Sequence, residues 1–299
     1  MKKTVIIIFS FLLASSSLAQ TRSTPDSIKF HTEDIERFWK VFDKTSPKFD
    51  AKVFQKEYID SGSVGLKGFL KYRIEDGKHL SKTIKSDVEY YKSIRESSLS
   101  IANRGEMFYE CFAKLKNIYS RAVFPDVYFV IGAKNSGGTS FSGGLIIGAE
   151  MFGKPTETFS PNVNIEFIDE VVAHELIHFQ QNYPINKTLL AQCIREGSAD
   201  FICEIIAGSH SNKIIHEYGN AHTQELWNEF LKAKDKTDWT NWLYYSKDKS
   251  RPKDLGYFIG YKITEAYYNQ ADDKTKAIDD ILNIVDFNAF LNKSGYSGM

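Results

Sequence analysis

The stretch VVAHELIHFQQ, residues 171 to 181, constrains this chain more than any other. Its apolar residues recur as in a buried helix, and on a helix positions four apart share one face. His174 and His178 therefore point the same way, at a spacing that suits two imidazole ligands of one tetrahedral ion. The alternative is an ordinary core helix whose two histidines are satisfied by hydrogen bonds. Val171, Val172, Ala173, Leu176, Ile177 and Phe179 are uncharged and keep the surroundings dry, with Gln180 as the one departure. Glu175, next to the first histidine, is rotated off the ligand face. A general base acting on a zinc-activated water belongs there.

Two histidines are half a site, and REGSADF at 195–201 offers the rest. Glu196 follows His178 by 18 residues. A turn at Tyr183-Pro184-Ile185-Asn186 would send the chain back as an antiparallel helix and return Glu196 to the height of the histidines, since both legs rise about 1.5 Å per residue. Gly197 would let these two helices approach closely. Asp200, one turn on from Glu196, shares its face and could accept the second N–H of a ligand histidine, or stand as a solvated charge.

HELIH followed by EGSAD at this distance resembles the gluzincins, the metallopeptidase clan that includes thermolysin and the zinc aminopeptidases. In that clan two histidines and a downstream glutamate hold zinc. The leader, the SGGTSFSGG loop before the motif and the GYFIGY helix after it make the chain similar to a bacterial family of predicted zinc proteases related to gliding-motility lipoproteins. The resemblance implies a Zn²⁺ ion on His174, His178 and Glu196, a zincin-like core, and a peptide or protein substrate. It also implies a tyrosine opposite the ion to stabilise the oxyanion. Tyr257, followed by Gly260, is similar to the tyrosine-x-x-glycine element of the aminopeptidase branch, with Tyr261 as the second candidate. His216 and His222, in HEYGNAH, are further donors or simply solvated. The run LIIGAEM stands where the clan places its substrate-binding edge strand. Glu150 on it could bind a free amine as in the aminopeptidases, or be an exposed strand carboxylate.

The N-terminus reads as an export leader. Lys2 and Lys3 precede an apolar run from Val5 to Leu13, and Ser17-Leu18-Ala19 offers small residues for cleavage before Gln20. A run this short cannot span a bilayer, which needs about 20 apolar residues. No integral membrane span is expected after cleavage, no cysteine stands at the cleavage point for lipid attachment, and the mature chain is expected in the periplasm or outside the cell. The 38 basic and 38 acidic residues cancel; losing the leader leaves a formal charge of −2. No nucleic-acid partner is implied. Cys193 and Cys203 would lie about 15 Å apart on one helix. The three cysteines therefore read as buried thiols, or as one bridge through Cys111.

Residues 20–120 carry helical periodicity, including one long, solvated helix expected over His79–Leu99. The texture changes at Pro125. DVYFVIG and LIIGAEMF read as strands, joined by the glycine-rich connection AKNSGGTSFSGG. This connection is not a phosphate loop, because Gly138 stands where the lysine is required. Helices are expected at 166–183, 187–208, 223–234, 255–269 and 274–285. The fold class is α+β, mostly helical with a small sheet. Residues 121–299 are expected to form the zinc-peptidase-like part, and 20–120 a helical N-terminal part of the same compact unit. The function expected is an exported zinc-dependent peptidase. Its rivals are a non-catalytic envelope or surface-assembly protein with a structural or vestigial zinc site, and a metal-assisted hydrolase of another amide or ester.

Overall fold

A computed structural model describes residues 22–154, 159 and 164–298; the expected leader lies outside them. The helices of eight residues or more are α1 (Glu33–Thr45), α2 (Gly77–Ser86), α3 (Gly105–Ile118), α4 (Ile168–Gln180), α5 (Leu189–Ala207), α6 (Lys213–Ala221), α7 (Thr223–Ala233), α8 (Leu255–Gln270), α9 (Lys274–Leu282) and α10 (Phe287–Ser294). The strands are β1 (Phe30–His31), β2 (Val127–Val130), β3 (Gly138–Phe141) and β4 (Gly144–Gly148). The protein is α+β and mostly helical, with one four-stranded sheet in the order β1-β2-β4-β3. None of the described helices is long and apolar enough to cross a membrane.

Strands β2 and β4 are parallel, with Val127 opposite Leu145 and Phe129 opposite Ile147. Both are buried along their whole length, as expected where apolar runs fill the middle of a sheet covered on both faces. The glycine-rich connection differs from its expected form. Its GTSF portion is not loop but strand: β3 pairs antiparallel with β4, Thr139 opposite Ile146. Strand β4 therefore lies inside the sheet, and the edge at this end is β3. With Thr139 and Ser140 at its centre, β3 stays partly exposed at this edge, unlike the apolar runs of β2 and β4.

The region 79–99 also departs from expectation. Helix α2 stops at Ser86, and Asp87 turns extended at φ −158°, so two short helices, Val88–Ser93 and Arg95–Ser100, follow it. Both tyrosines of the first short helix, Tyr90 and Tyr91, are fully inside, where the Tyr91 hydroxyl donates to Gly132 O at 2.9 Å and the Tyr90 hydroxyl to Glu150 O.

Helix α4 packs on β3 and β4 and on α5. Val172, Ala173, Leu176 and Ile177 are fully buried, and each of the larger three contributes ~1.5–3 kcal/mol by leaving water. The chain leaves α4 at Gln180, three residues before Tyr183. Thr188 then caps α5 by accepting from the Ala191 N–H, one of the orphan donors at a helix start. Gly208 ends α5 at φ +88°, a left-handed conformation that glycine adopts freely. Gly197 has a different role from the one expected. It faces α8, where a Cβ would stand 2.0 Å from Tyr261 N, and Gly260 answers it with a Cβ position 1.7 Å from Cys193 O. The close approach is between α5 and α8, not α4 and α5. Cys111, Cys193 and Cys203 are free and buried.

Candidate metal centre

The two histidines of α4 face Glu196 of α5. Their rings are 4.5 Å apart and nearly perpendicular. His178 Nε2 lies 3.1 Å and His174 Nε2 3.5 Å from the same oxygen, Glu196 Oε2. One ligand atom from each residue falls within 4.8 Å of the others, so the three could hold one ion between them.

The opposite nitrogen of each ring is engaged. His174 Nδ1 lies 2.8 Å from Asp200 Oδ1, and Asp200 Oδ2 accepts from Asn212 Nδ2 at 2.6 Å. His178 Nδ1 lies 2.9 Å from Gln181 Oε1. The Gln181 amide is oriented by its own donors, which reach Arg195 O at 2.7 Å and Ser198 Oγ at 3.0 Å; its oxygen is therefore the acceptor for His178. With both Nδ1–H groups donating outward, both Nε2 atoms face Glu196, and once they lose their protons they present the lone pairs a metal requires. The donor set thus fits zinc in chemistry as well as spacing.

Charge reinforces this arrangement. Burial pushes the Glu196 carboxyl up, but the imidazolium charge of His178 and hydrogen bonds from both rings outweigh it and hold Glu196 well below the carboxylate range. Burial pushes His174 down, and Asp200 with Glu196 more than reverses this, leaving it well above the histidine value. His178 is raised as well, burial again opposing and Glu196 prevailing. Without an ion the centre is a buried imidazolium–carboxylate network, and a cation entering it displaces protons.

A cleft of about 540 Å³ opens over this centre. Its lining includes His174, Glu175 and Val171 of α4, Ser136 to Gly138, and Ser211, Asn212, Tyr244 and Tyr257. The Glu175 carboxyl is raised by burial against the pull of both histidines. It lies beside the edge strand: a Cβ on Gly138 would stand 2.6 Å from Glu175 Oε1. The Tyr257 ring stacks on His174 at 6.1 Å between centroids. The structure thus places His174, Glu175 and Tyr257 on one cleft and brings His178 and Glu196 together with His174.

Other candidates fall elsewhere. Tyr261 donates to Glu204 Oε2 at 2.7 Å and meets the Phe201 ring edge-on, outside the cleft. His222 lies near Glu225 at 3.5 Å on the surface, and His216 packs against His210. Glu150 is neither exposed nor on an edge. It is fully buried in the turn after β4, its Oε1 accepting from the Lys134 N–H at 3.2 Å, and burial lifts its carboxyl to about 7.

Sequence reasoning missed Tyr244, whose hydroxyl donates to Glu196 Oε1 at 2.6 Å. Nothing around Tyr244 signals it, because it sits at φ +62° in an irregular connection with no periodicity. Gln181 was more accessible, being three residues after His178 and hence one turn on.

The fold and site define an α+β protein with a buried two-histidine, one-glutamate cluster at the base of a cleft. Over residues 20–298 the chain matches the model of the family described as gliding motility protein GldB, and it belongs to that family. No curated protein and no solved structure matches it.

Proposed function

We propose that this chain is an exported envelope component of the gliding-motility kind, in which zinc held by His174, His178 and Glu196 fixes α4 to α5 beneath the cleft. The observation that carries the metal centre is the outward anchoring of both Nδ1 atoms on Asp200 and Gln181, which turns both free nitrogens toward one carboxylate oxygen. Family membership supports the envelope role, since the match spans the helices of the centre together with the rest of the chain. The Tyr244 hydroxyl on Glu196 and the β3 backbone beside Glu175 enclose the cluster, as suits an ion that holds structure.

A second reading is favoured by Glu175, a half-buried carboxyl lining the cleft next to His174. In it the protein hydrolyses peptide bonds. Zinc would supply Lewis-acid polarisation of the scissile carbonyl. Glu175 would take a proton from water and hand it to the leaving amine, a role suited to a carboxyl whose affinity for protons burial has raised. The Tyr257 hydroxyl would donate toward the oxyanion.

One experiment separates the two. The purified chain is stripped with a chelator, reloaded with zinc, and followed both by thermal unfolding and on a broad peptide library. Zinc that raises the unfolding midpoint without cleavage is the expected result. Chelator-sensitive cleavage, lost in Glu175→Gln while zinc stays bound, establishes the peptidase. Failure to bind zinc at all overturns both.

A further inference from the structure

A second group of donors shares Asp200 with the first. Asp200, His210 and His216 each offer one ligand atom, and these lie within 4.8 Å of one another. Local structure brings them together. Asp200 and Glu204 are one turn apart on α5, Gly208 ends that helix, the turn after it carries His210, and α6 follows from Lys213 with His216. The two rings are 4.3 Å apart, and Tyr261 packs against both, at 5.4 Å and 4.6 Å. Asp200 and His210 are buried. His216 Nε2 is also inside and makes no hydrogen bond within the protein, a cost that a ligand at this nitrogen would remove. His210 Nδ1 meets the Asn212 N–H at a long 3.2 Å, and its Nε2 lies 3.6 Å from Glu204 Oε2.

We propose that Asp200, His210 and His216 form a second metal centre, which takes a divalent transition ion of the zinc type. Two imidazoles and a carboxylate are borderline donors that suit such an ion and not calcium or magnesium. Glu204 is near enough to His210 to serve as a further oxygen donor. An ion here ties the end of α5 to the start of α6 and fixes the turn between them, which carries Ser211 and Asn212 on the wall of the cleft. The centre does not depend on what the cleft does, because its histidines lie outside the first cluster.

The test is zinc content and position in the full mature chain. Metal-stripped protein titrated with zinc alone should take up two ions, with one lost in His210→Asn or His216→Gln and the other lost in His178→Ala. Crystals of the unaltered chain with zinc should give an anomalous peak between His210 and His216 as well as one at His174. That measurement does not rely on any variant folding. A lone peak at His174 with one ion per chain overturns the second centre and leaves the first intact; a lone peak at His216 supports the second and removes the first. No bound zinc overturns both.

Discussion

Gln181 touches only the far side of a ring in the proposed zinc centre, yet it fixes how that ring is turned. Its carboxamide has one acceptor turned to His178 Nδ1 and two donors spent on Arg195 O and Ser198 Oγ, so it cannot rotate without losing three bonds. Replacing it with alanine frees the His178 ring to turn and to change tautomer. Zinc affinity should fall about 10- to 100-fold, read by competition with a chromophoric chelator; an unchanged affinity would show that α4 alone orients the ring. Glu150 makes the opposite case, a buried carboxyl with one oxygen, Oε2, that meets no partner. Its carboxyl is raised from 4.5 to about 7 by burial, so the native state holds the proton more tightly than the unfolded chain does. The stability this gives is complete below about pH 4.5 and is lost as pH rises to about 7. Glu150→Gln removes that dependence. Relative to the wild type, the variant should gain ~3 kcal/mol between pH 4.5 and pH 8 in denaturant melts; parallel curves would sink the assignment.

At the scale of elements, what could be read in advance depended on how local the signal was. The helices now seen as α4, α5, α7, α8 and α9 were all legible as helices from their apolar stripes, although α4 and α9 each end three residues before the expected 183 and 285. Strand β3 was not. GTSF in a glycine-rich setting reads as a turn, and only pairing with β4 across Ser142 and Gly143 makes it a strand, so its order derives from a neighbour and not from its own composition. The break at Asp87 was hidden for the same reason, since the lock on Tyr90 and Tyr91 comes from carbonyls in residues 132 and 150. The HExxH pair and the downstream glutamate were visible as spacing, and Asp200 as a face. Tyr244 was invisible, being placed by an irregular connection. Gly197 was singled out for closeness but given the wrong partner, because a one-dimensional pattern shows that a helix face is bare without showing what meets it. Gly260→Ala tests the true contact. Its Cβ would fall on the backbone carbonyl of Cys193, which cannot step aside as a side chain can. The variant should lose ~1–3 kcal/mol or more in chemical denaturation, whereas Gly208→Ala meets no atom within 4 Å and should show only the strain of its left-handed backbone.

With zinc at the proposed centre, the whole molecule would feel the ion as a cross-link. Only the native chain presents His174, His178 and Glu196 together, so zinc would bind the folded state and add stability set by its concentration relative to Kd. At a thousandfold excess over Kd this amounts to ~4 kcal/mol, or roughly 7 °C in midpoint for a chain of this length. The increment should depend on pH with a definite sign. In the metal-free chain His174 sits above its ordinary 6.5, Asp200 and Glu196 outweighing burial. Its contribution is therefore complete below pH 6.5 and is lost as pH rises through the folded value. Zinc needs that ring neutral and releases its proton on binding. The stripped protein thus weakens as the medium becomes more basic, while the loaded protein no longer carries that proton to lose. Melting curves with and without zinc should diverge from pH 6 toward pH 8, and His178→Ala should erase this centre's share of the divergence. An increment that stays constant across the range, or that survives His178→Ala unchanged, would place the stabilising ion away from this pair of histidines.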